Sequence, residues 1–329
     1  MRIANGSMCA LLLLAFGLGC ATRPGEPAPA RVGDEIVVAG QFFHTGTPVV
    51  LWMDEGGYDA YRVQRRFAPR GEHGWDASRD QLDSPNRFGT RFERSMSDDE
   101  FEQHRHGRWT LDQLRQRIDL FVLHYDACGT SRRCFEVLHD HRCLSVHFMI
   151  DVDGTVYQTL DLKERAWHAG GANDRSIGVE IANIGAYPPP EAGRVFSKWY
   201  EPTPRGARLL LSAEEAAALR TPGFVGESSR PGPVTGTIHG REWVMYDLTP
   251  QQYAALAKLS AALSRIFPDL PLDYPKDDAG RVLTRVLTDR ELAGHRGLIG
   301  HYHLTEQKID PGPAVRWDRI VGEARESLR

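Results

Sequence analysis

Three short apolar runs constrain this chain most, because each is typical of a buried strand and yet carries one ionisable side chain. Two of the runs end on His124 and His301, and the third is interrupted by Glu180. The end of a strand is a place where a rigid sheet can aim a side chain into a cleft. The runs therefore predict a sheet that brings these three side chains to one site, although they lie far apart along the chain.

Other patterns between residues 110 and 329 predict further strands and helices around such a sheet. Val146–Asp151 and Thr155–Gln158 flank an Asp-Gly turn, which is a strong local signal for a β-hairpin. Thr249–Gln252 has the residues of a helical capping box, with Pro250 at the first helical position. Strands with helices between and after them indicate an α/β or α+β domain over residues 110–329.

Residues 1–20 predict an export signal. The apolar run Met8–Leu18 follows Arg2 and is too short to span a bilayer as a resident helix. The run ends at Gly19-Cys20, and a cysteine directly after a small residue in this place suggests lipidation. An ordinary cleaved signal with an incidental cysteine is the alternative. We expect an exported protein of the periplasm or cell envelope, an outer-membrane lipoprotein if Cys20 is lipidated, with no other attachment to a membrane.

The segments that flank and interrupt the domain have their own composition. Residues 21–34 are rich in Pro, Ala and Gly and predict a flexible tether. Residues 35–109 form an N-terminal extension whose role the sequence does not indicate. Residues 186–247 contain many prolines and predict an insertion that covers or lines a cleft. The formal net charge is −4, so the composition gives no sign of the basic surface that binds nucleic acid.

The residue types near the strand ends favour a zinc site. Imidazole and carboxylate are zinc ligands, and Asp310, on a stiff Pro-Gly-Pro turn soon after His301, would complete a set of three. Three protein ligands with an open fourth position describe a catalytic zinc site, which makes hydroxide available under mild conditions. Glu180 suits proton transfer, and Lys308 suits the stabilisation of an oxyanion. An ordinary polar loop is the alternative for residues 300–313.

Five segments of the chain match one family's motifs in the family's order. They are Phe121–His124, Ser145–Phe148 with Asp153–Gln158, Trp167–Gly170, Ser176–Glu180, and Gly300–Lys308 with Asp310–Pro313. On these segments the chain resembles the type-2 N-acetylmuramoyl-L-alanine amidases, the superfamily that includes the peptidoglycan recognition proteins. The resemblance covers roughly residues 118–320, apart from the insertion.

This resemblance implies a fold, a reaction and a site. The fold is a mixed β-sheet flanked by helices, and the reaction hydrolyses the amide between N-acetylmuramic acid and L-alanine in peptidoglycan or muropeptides. One Zn²⁺ is assigned to His124, His301 and Asp310. Proton transfer falls to Glu180 and transition-state stabilisation to Lys308. We expect a monomeric enzyme. A non-catalytic peptidoglycan-binding protein and another zinc amidase or peptidase are the alternatives.

Two details leave parts of the site open. Recognition proteins carry a disulfide at the spacing of Cys128 and Cys134, which implies a bond here and leaves Cys143 over; two buried thiols are the alternative. The family usually has one more residue between the second histidine and the aspartate. His303 is therefore an alternative ligand to His301, with which it would share strand parity.

Five weaker candidates lie near these motifs. His147 is expected to be a hydrogen-bonded histidine of the core or of the groove wall. Trp167 and His168 either contact the substrate or pack within the domain. Tyr125 and Asn183 are candidates for the lining of the groove.

Overall fold

The computed structural model describes residues 23–62, 64–72, 74–78, 80, 87–104 and 108–329. The predicted export signal and Cys20 lie outside these ranges. Within them, no helix has both the length and the apolar character needed to cross a membrane.

The described part of the chain contains strands and helices in mixed order. The strands are β1 (Glu35–Val38), β2 (Gln41–His44), β3 (Val49–Leu51), β4 (Phe88–Thr90), β5 (Leu120–Tyr125), β6 (Phe148–Ile150), β7 (Val156–Gln158), β8 (Glu164–Ala166), β9 (Ser176–Ile181), β10 (Tyr200–Thr203), β11 (Gly206–Leu209), β12 (Val234–Ile238), β13 (Arg241–Met245) and β14 (Gly297–Gly300). The helices are α1 (Trp75–Ser78), α2 (Asp98–His104), α3 (Leu111–Arg115), α4 (Ser131–Phe135), α5 (Pro189–Trp199), α6 (Ala213–Ala218), α7 (Pro250–Ile266), α8 (Asp289–Gly294) and α9 (Trp317–Ser327).

A six-stranded mixed sheet forms the centre of the fold, in the order β14-β5-β9-β6-β7-β3. The neighbours β14, β5, β9 and β6 run parallel, β7 is antiparallel to β6, and the edge strand β3 runs parallel to β7. Strands β5, β9 and β14 are buried almost throughout, as is usual for parallel strands covered on both faces. The predicted mixed sheet flanked by helices is confirmed.

The two faces of the sheet meet different partners because successive side chains on a strand alternate. Phe121 and Leu123 of β5 join the main core with Leu256 of α7, and α7 packs on α9. Leu120 and Val122 point the other way into a second cluster. The capping box predicted at Thr249 and Gln252 is present at the start of α7. One face is therefore sealed by helices, and the other face carries the next residue of the alternation, His124.

The N-terminal extension is part of the same fold. Its strand β3 is the edge of the central sheet, and β4 pairs antiparallel with β8. The predicted flexible tether is wrong for residues 23–34, because this segment is held by the backbone. The Gly25 N–H donates to the His44 carbonyl at 2.6 Å, and the Ala28 N–H donates to the Phe42 carbonyl at 2.9 Å.

A buried arginine fastens the extension to the domain. Arg91 follows β4, is fully buried, and donates to the carbonyls of Leu162, Asn173, Asp174 and Ser176 at 2.9–3.1 Å. Burial lowers the pKa of Arg91 to about 10, so the guanidinium stays charged at neutral pH. One side chain from the extension thus holds the loop between β8 and β9.

The insertion at residues 186–247 folds into α5, α6 and the hairpins β10–β11 and β12–β13. Phe196, Tyr200 and Tyr246 form its own small core. Its hairpin β12–β13 approaches the loop after β14, since a side chain at Gly236 would meet Pro313 at 2.7 Å. The insertion therefore supports that loop.

Replacing Arg91 by Met should lower the free energy of unfolding by about 3 kcal/mol, because buried carbonyl oxygens lose their donor. Urea unfolding followed by tryptophan fluorescence measures this. The control is Arg94→Met, an exposed arginine three residues away, which should change stability by less than about 0.5 kcal/mol. Equal stability of the two variants would contradict the anchoring role.

Candidate active site

The parallel strands β14, β5 and β9 place three of the predicted side chains at neighbouring strand ends. His124 of β5 lies in register beside Glu180 of β9. Gly300, the last residue of β14, pairs with Leu123 of β5. His301 directly follows Gly300, so it stands on the other side of His124. Strand pairing alone thus gathers residues that are far apart in sequence.

Asp310 joins the two histidines from the loop after β14. Its Oδ2 lies 2.8 Å from Nδ1 of His124 and 3.0 Å from Nδ1 of His301. The three side chains are buried, with 2%, 9% and 8% of the surface of His124, His301 and Asp310 exposed. One ligand atom from each residue lies within 4.8 Å of the others. The structure therefore brings this predicted set together so that one ion can reach all three.

The electrostatics of the set favour the protonation states that bind metal. Burial opposes the charge on Asp310, but hydrogen bonds from His124 and His301 outweigh it and hold the pKa of Asp310 below its usual value. Burial lowers the pKa of His124, and its contact with Asp310 offsets this only in part. At neutral pH the set thus offers a carboxylate and a neutral imidazole, the forms in which these groups coordinate metals.

Glu180 faces the same cavity without a partner for one of its oxygens. The cavity has a volume of about 260 Å³ and is lined by Glu180, Lys308 and the His-His-Asp set. Oε2 of Glu180 is buried and has no hydrogen-bond partner among the described residues. Burial, followed by the negative charges of Asp310 and Asp126, raises the pKa of Glu180 well above its usual value. Such a carboxylate accepts protons readily.

The loop that carries Lys308 is held by the insertion. Nε2 of His239, which follows β12, donates to the Lys308 carbonyl at 2.9 Å. Among the described residues that line the cavity, none comes from 186–247. The insertion thus supports the wall of this cavity without lining it, and its predicted role of covering or lining a cleft stays a prediction.

His303 is engaged elsewhere. Residues His301–His303 form a 3-10 helical turn, so the strand parity assumed from the sequence does not apply. Nδ1 of His303 accepts from the Gly300 N–H at 2.9 Å, and Nε2 donates to the Leu283 carbonyl at 2.6 Å. Both ring nitrogens are therefore occupied, and His301 is the histidine that faces Asp310.

The disulfide implied for Cys128 and Cys134 is not formed. Both residues, and Cys143, are free thiols in the described part of the chain. Cys128 and Cys134 lie in the wall of the cavity, and burial raises the pKa of each thiol. The alternative of unpaired thiols describes the structure.

The weaker candidates divide between core and cavity. His147 is fully buried, accepts from the Gly178 N–H and donates to the Glu164 carbonyl, as expected for a core histidine. Tyr125 lines the cavity. Asn183 instead bonds backbone groups of the insertion and of its own loop.

Residues 114–205 match the family model described as N-acetylmuramoyl-L-alanine amidase. The match spans β5 to β9 and so includes His124 and Glu180. Over these residues the chain is similar to the N-acetylmuramoyl-L-alanine amidases. His301, Lys308 and Asp310 lie beyond the matched residues, and the fold brings them to the same cavity.

Three solved structures are similar to parts of the chain. A Se-Met AmpD derivative is 18% identical and covers 65% of this chain and 87% of that one, with a TM-score of 0.31. The endolysin LysCS of Clostridium intestinale URNW is 15% identical and covers 66% and 88%, with a TM-score of 0.33. AmiD of E. coli, in complex with anhydro-N-acetylmuramic acid-L-Ala-D-gamma-Glu-L-Lys, is 18% identical and covers 63% and 57%, with a TM-score of 0.36. Among curated proteins, none matches the chain.

The donor atoms of His124, His301 and Asp310 fit zinc. Two imidazole nitrogens and one carboxylate oxygen are ligands that zinc prefers, and three protein ligands leave a fourth position open. A cavity lies beside these three side chains. The site thus has the composition of a catalytic zinc centre.

His168 supports His124 from behind. Nδ1 of His168 lies 3.0 Å from Nε2 of His124, and Nε2 of His168 lies 3.3 Å from the Ser176 hydroxyl. If Nδ1 of His124 held a metal, its Nε2 would carry the proton and would donate it to His168. A side chain on Gly178 would come within 2.5 Å of the His168 ring, so the glycine in β9 makes room for this contact. Partners of this kind orient metal-binding histidines.

Replacing His168 by Ala should weaken zinc binding about 10- to 100-fold, because His124 loses the partner that fixes its ring. Competition with a chromophoric chelator measures the affinity. His168→Asn, whose side-chain oxygen can stand in for Nδ1, should recover most of it. The exposed His141 serves as control, and His141→Ala should bind zinc like the unaltered protein. Unchanged affinity in His168→Ala would show that the contact does not position the ligand.

Proposed function

We propose that the chain is a zinc-dependent amidase that cleaves the bond between N-acetylmuramic acid and L-alanine in peptidoglycan or muropeptides. The observation that carries the proposal is the convergence of His124, His301 and Asp310, within 4.8 Å of one another, in the cavity that holds Glu180. The set of His124, His301 and Asp310 by itself would also suit a structural metal site. A carboxylate beside it, with one buried oxygen free of any partner among the described residues, favours catalysis.

His124, His301 and Asp310 would hold the zinc. When bound, the ion supplies a Lewis acid and lowers the pKa of a bound water to about 7. Glu180 accepts the proton of the attacking water, since its raised pKa gives it a high affinity for that proton. The same carboxyl group then donates the proton to the nitrogen of L-alanine as the amide bond breaks.

Lys308 acts on the carbonyl oxygen. Lys308 lines the same cavity as Glu180 and Asp310, and its positive charge stabilises the negative charge that develops on that oxygen. The hydrogen bond from His239 to the Lys308 carbonyl fixes the backbone of this residue. Holding the loop in place allows the lysine to act without reorganising the site.

Export is part of the proposal. The apolar run that ends at Cys20 predicts secretion to the periplasm or cell envelope, where peptidoglycan is available. Lipidation of Cys20 would keep the enzyme at a membrane, and an unlipidated chain would be free to diffuse.

Replacing Glu180 by Gln should keep the zinc and lower kcat by about 10² to 10⁴, because glutamine has nearly the same shape and cannot take up the proton. Zinc content and the release of new L-alanine amino termini from muropeptides are measured on the same sample. Glu191→Gln, at an exposed position of α5, is the control and should retain full activity.

Removing a ligand should have a different signature. His124→Ala should lose both zinc and activity, because two protein ligands do not make a stable site. Full turnover in Glu180→Gln would contradict the proposed proton transfer. Full turnover in zinc-free His124→Ala would contradict the proposed role of the metal.

Lys308→Met should keep the zinc and lower kcat by about 10² to 10³, the usual effect of removing one group that stabilises an oxyanion. Steady-state kinetics on a soluble muropeptide separates this from a change in KM. A rise in KM with kcat unchanged would instead assign Lys308 to substrate binding.

A further inference from the structure

A second cavity opens beside the catalytic one. Its volume is about 570 Å³, within the range of about 300–1,000 Å³ that is usual for ligand sites. Trp167 lines both cavities, so they adjoin at this side chain. Gly89, which lies in β4, and Arg94, which follows it, form part of the wall of the second cavity. The N-terminal extension therefore builds a surface next to the active site.

The wall from the extension is held rigidly. Strand β4 pairs with β8. Residues 170–174, which precede β9, form the floor of the second cavity, and Arg91 donates to the carbonyls of Asn173 and Asp174 in this loop. Asp174, in that floor, accepts from the Phe92 N–H at 2.6 Å and from Nε of Arg165 at 3.0 Å. The bonds from Arg91 and Phe92 join the extension to the floor of the cavity. The space thus exists before any ligand arrives, which favours binding.

Glycines keep the floor open. Gly170 and Gly171 line the cavity, and a side chain built at either position would meet nothing within 4 Å. Gly170 has a φ of +55°, which itself favours glycine. Gly171 has no such backbone requirement, so a larger residue would fit its conformation and project into the open space.

The charges of the cavity favour a neutral, polar ligand. Glu93 and Asp174 supply two acids, and Arg94 and Arg165 supply two bases, so the lining carries no net charge. Trp167 adds an aromatic surface. Hydrogen-bonding groups of both kinds around an aromatic ring suit a sugar, which presents hydroxyls at its edge and an apolar face. A peptide arm that carries several carboxylates would find no excess of positive charge here.

We propose that this second cavity is a saccharide subsite that binds the sugar next to the muramic acid in a glycan strand. The inference rests on the proposed function, since the amide that is cleaved joins a sugar to a peptide and the substrate extends from it in two directions. Trp167 lies between the catalytic cavity and the sugar beyond it. The role of the extension is then to select glycan-linked substrates over single muramoyl peptides.

The test compares two soluble substrates with the same stem peptide. One is an N-acetylmuramoyl peptide, and the other carries a second N-acetylhexosamine on its muramic acid. The unaltered enzyme should favour the disaccharide about tenfold in kcat/KM. Gly171→Leu should remove most of this preference by filling the cavity. Gly193→Leu, the same change at an open position of α5, is the matched control and should keep both rates.

A second variant guards against misfolding of Gly171→Leu. Glu93→Ala with Arg94→Ala changes two exposed side chains of the wall and should also reduce the preference. The proposal fails if the unaltered enzyme does not distinguish the two substrates, or if both variants retain the preference. It also fails if Gly171→Leu alters the dependence on the length of the stem peptide, since the cavity would then take the peptide.

Calorimetry with the peptide-free disaccharide separates this inference from the proposed function. The unaltered chain should bind the disaccharide, and Gly171→Leu should lose that binding. Disaccharide binding without hydrolysis of either substrate would overturn the proposed function alone. Hydrolysis of both substrates with no binding of the disaccharide would overturn the saccharide subsite alone.

Discussion

The parallel pairing of β14, β5 and β9 is the constraint on which the site depends. In this register, His301, His124 and Glu180 stand at adjacent strand ends. A shift of one residue in β5 would turn His124 toward the opposite face, where α7 packs, and would break the set. The apolar residues of β5 fix the register, because Phe121 and Leu123 fill the main core while Leu120 and Val122 fill the other cluster. Core packing and catalytic geometry are thus settled by the same strands.

The insertion and the N-terminal extension lie outside the central sheet and hold the loops around the site in place. The insertion reaches the Lys308 loop through His239, and the extension reaches the floor beside Trp167 through Arg91. Each contact uses a donor side chain on backbone carbonyls, which fixes the loops without occupying the cavity. Burial then sets the charge states, since it raises the pKa of Glu180 and lowers the pKa of His124. The insertion and the extension thus hold the loops around the cavity, and the strands of the central sheet position the ionisable side chains.

The sequence predicted correctly those elements that have a local motif or a periodic pattern of apolar residues. The mixed sheet, the hairpin with its Asp-Gly turn and the capped helix α7 are all present as expected. The position of two histidines at strand ends, together with the family resemblance, predicted that His124, His301 and Asp310 lie at one site. His303 could not be excluded from the sequence, because the 3-10 turn that redirects it has no periodic signal.

The sequence was insufficient where long-range polar contacts decide the structure. Arg91 lies in the extension, to which the sequence assigns no role, and only the fold shows that its guanidinium is buried against four carbonyls. The segment at residues 23–34 has the composition of a tether, yet backbone hydrogen bonds to β2 hold it in place. Cys128 and Cys134 have the spacing of a disulfide and are free. Composition and spacing do not report such pairings.

X-ray absorption at the zinc edge, on protein loaded with one equivalent of zinc, tests the central claim most directly. Coordination by two imidazoles and a carboxylate predicts a first shell of nitrogen and oxygen at about 2.0–2.1 Å with no sulfur. Cys128 and Cys134 are in the wall of the same cavity, so thiolate coordination is a real competitor. A sulfur shell near about 2.3 Å would contradict the ligand set. The same spectrum in His124→Ala as in the unaltered protein would contradict it as well.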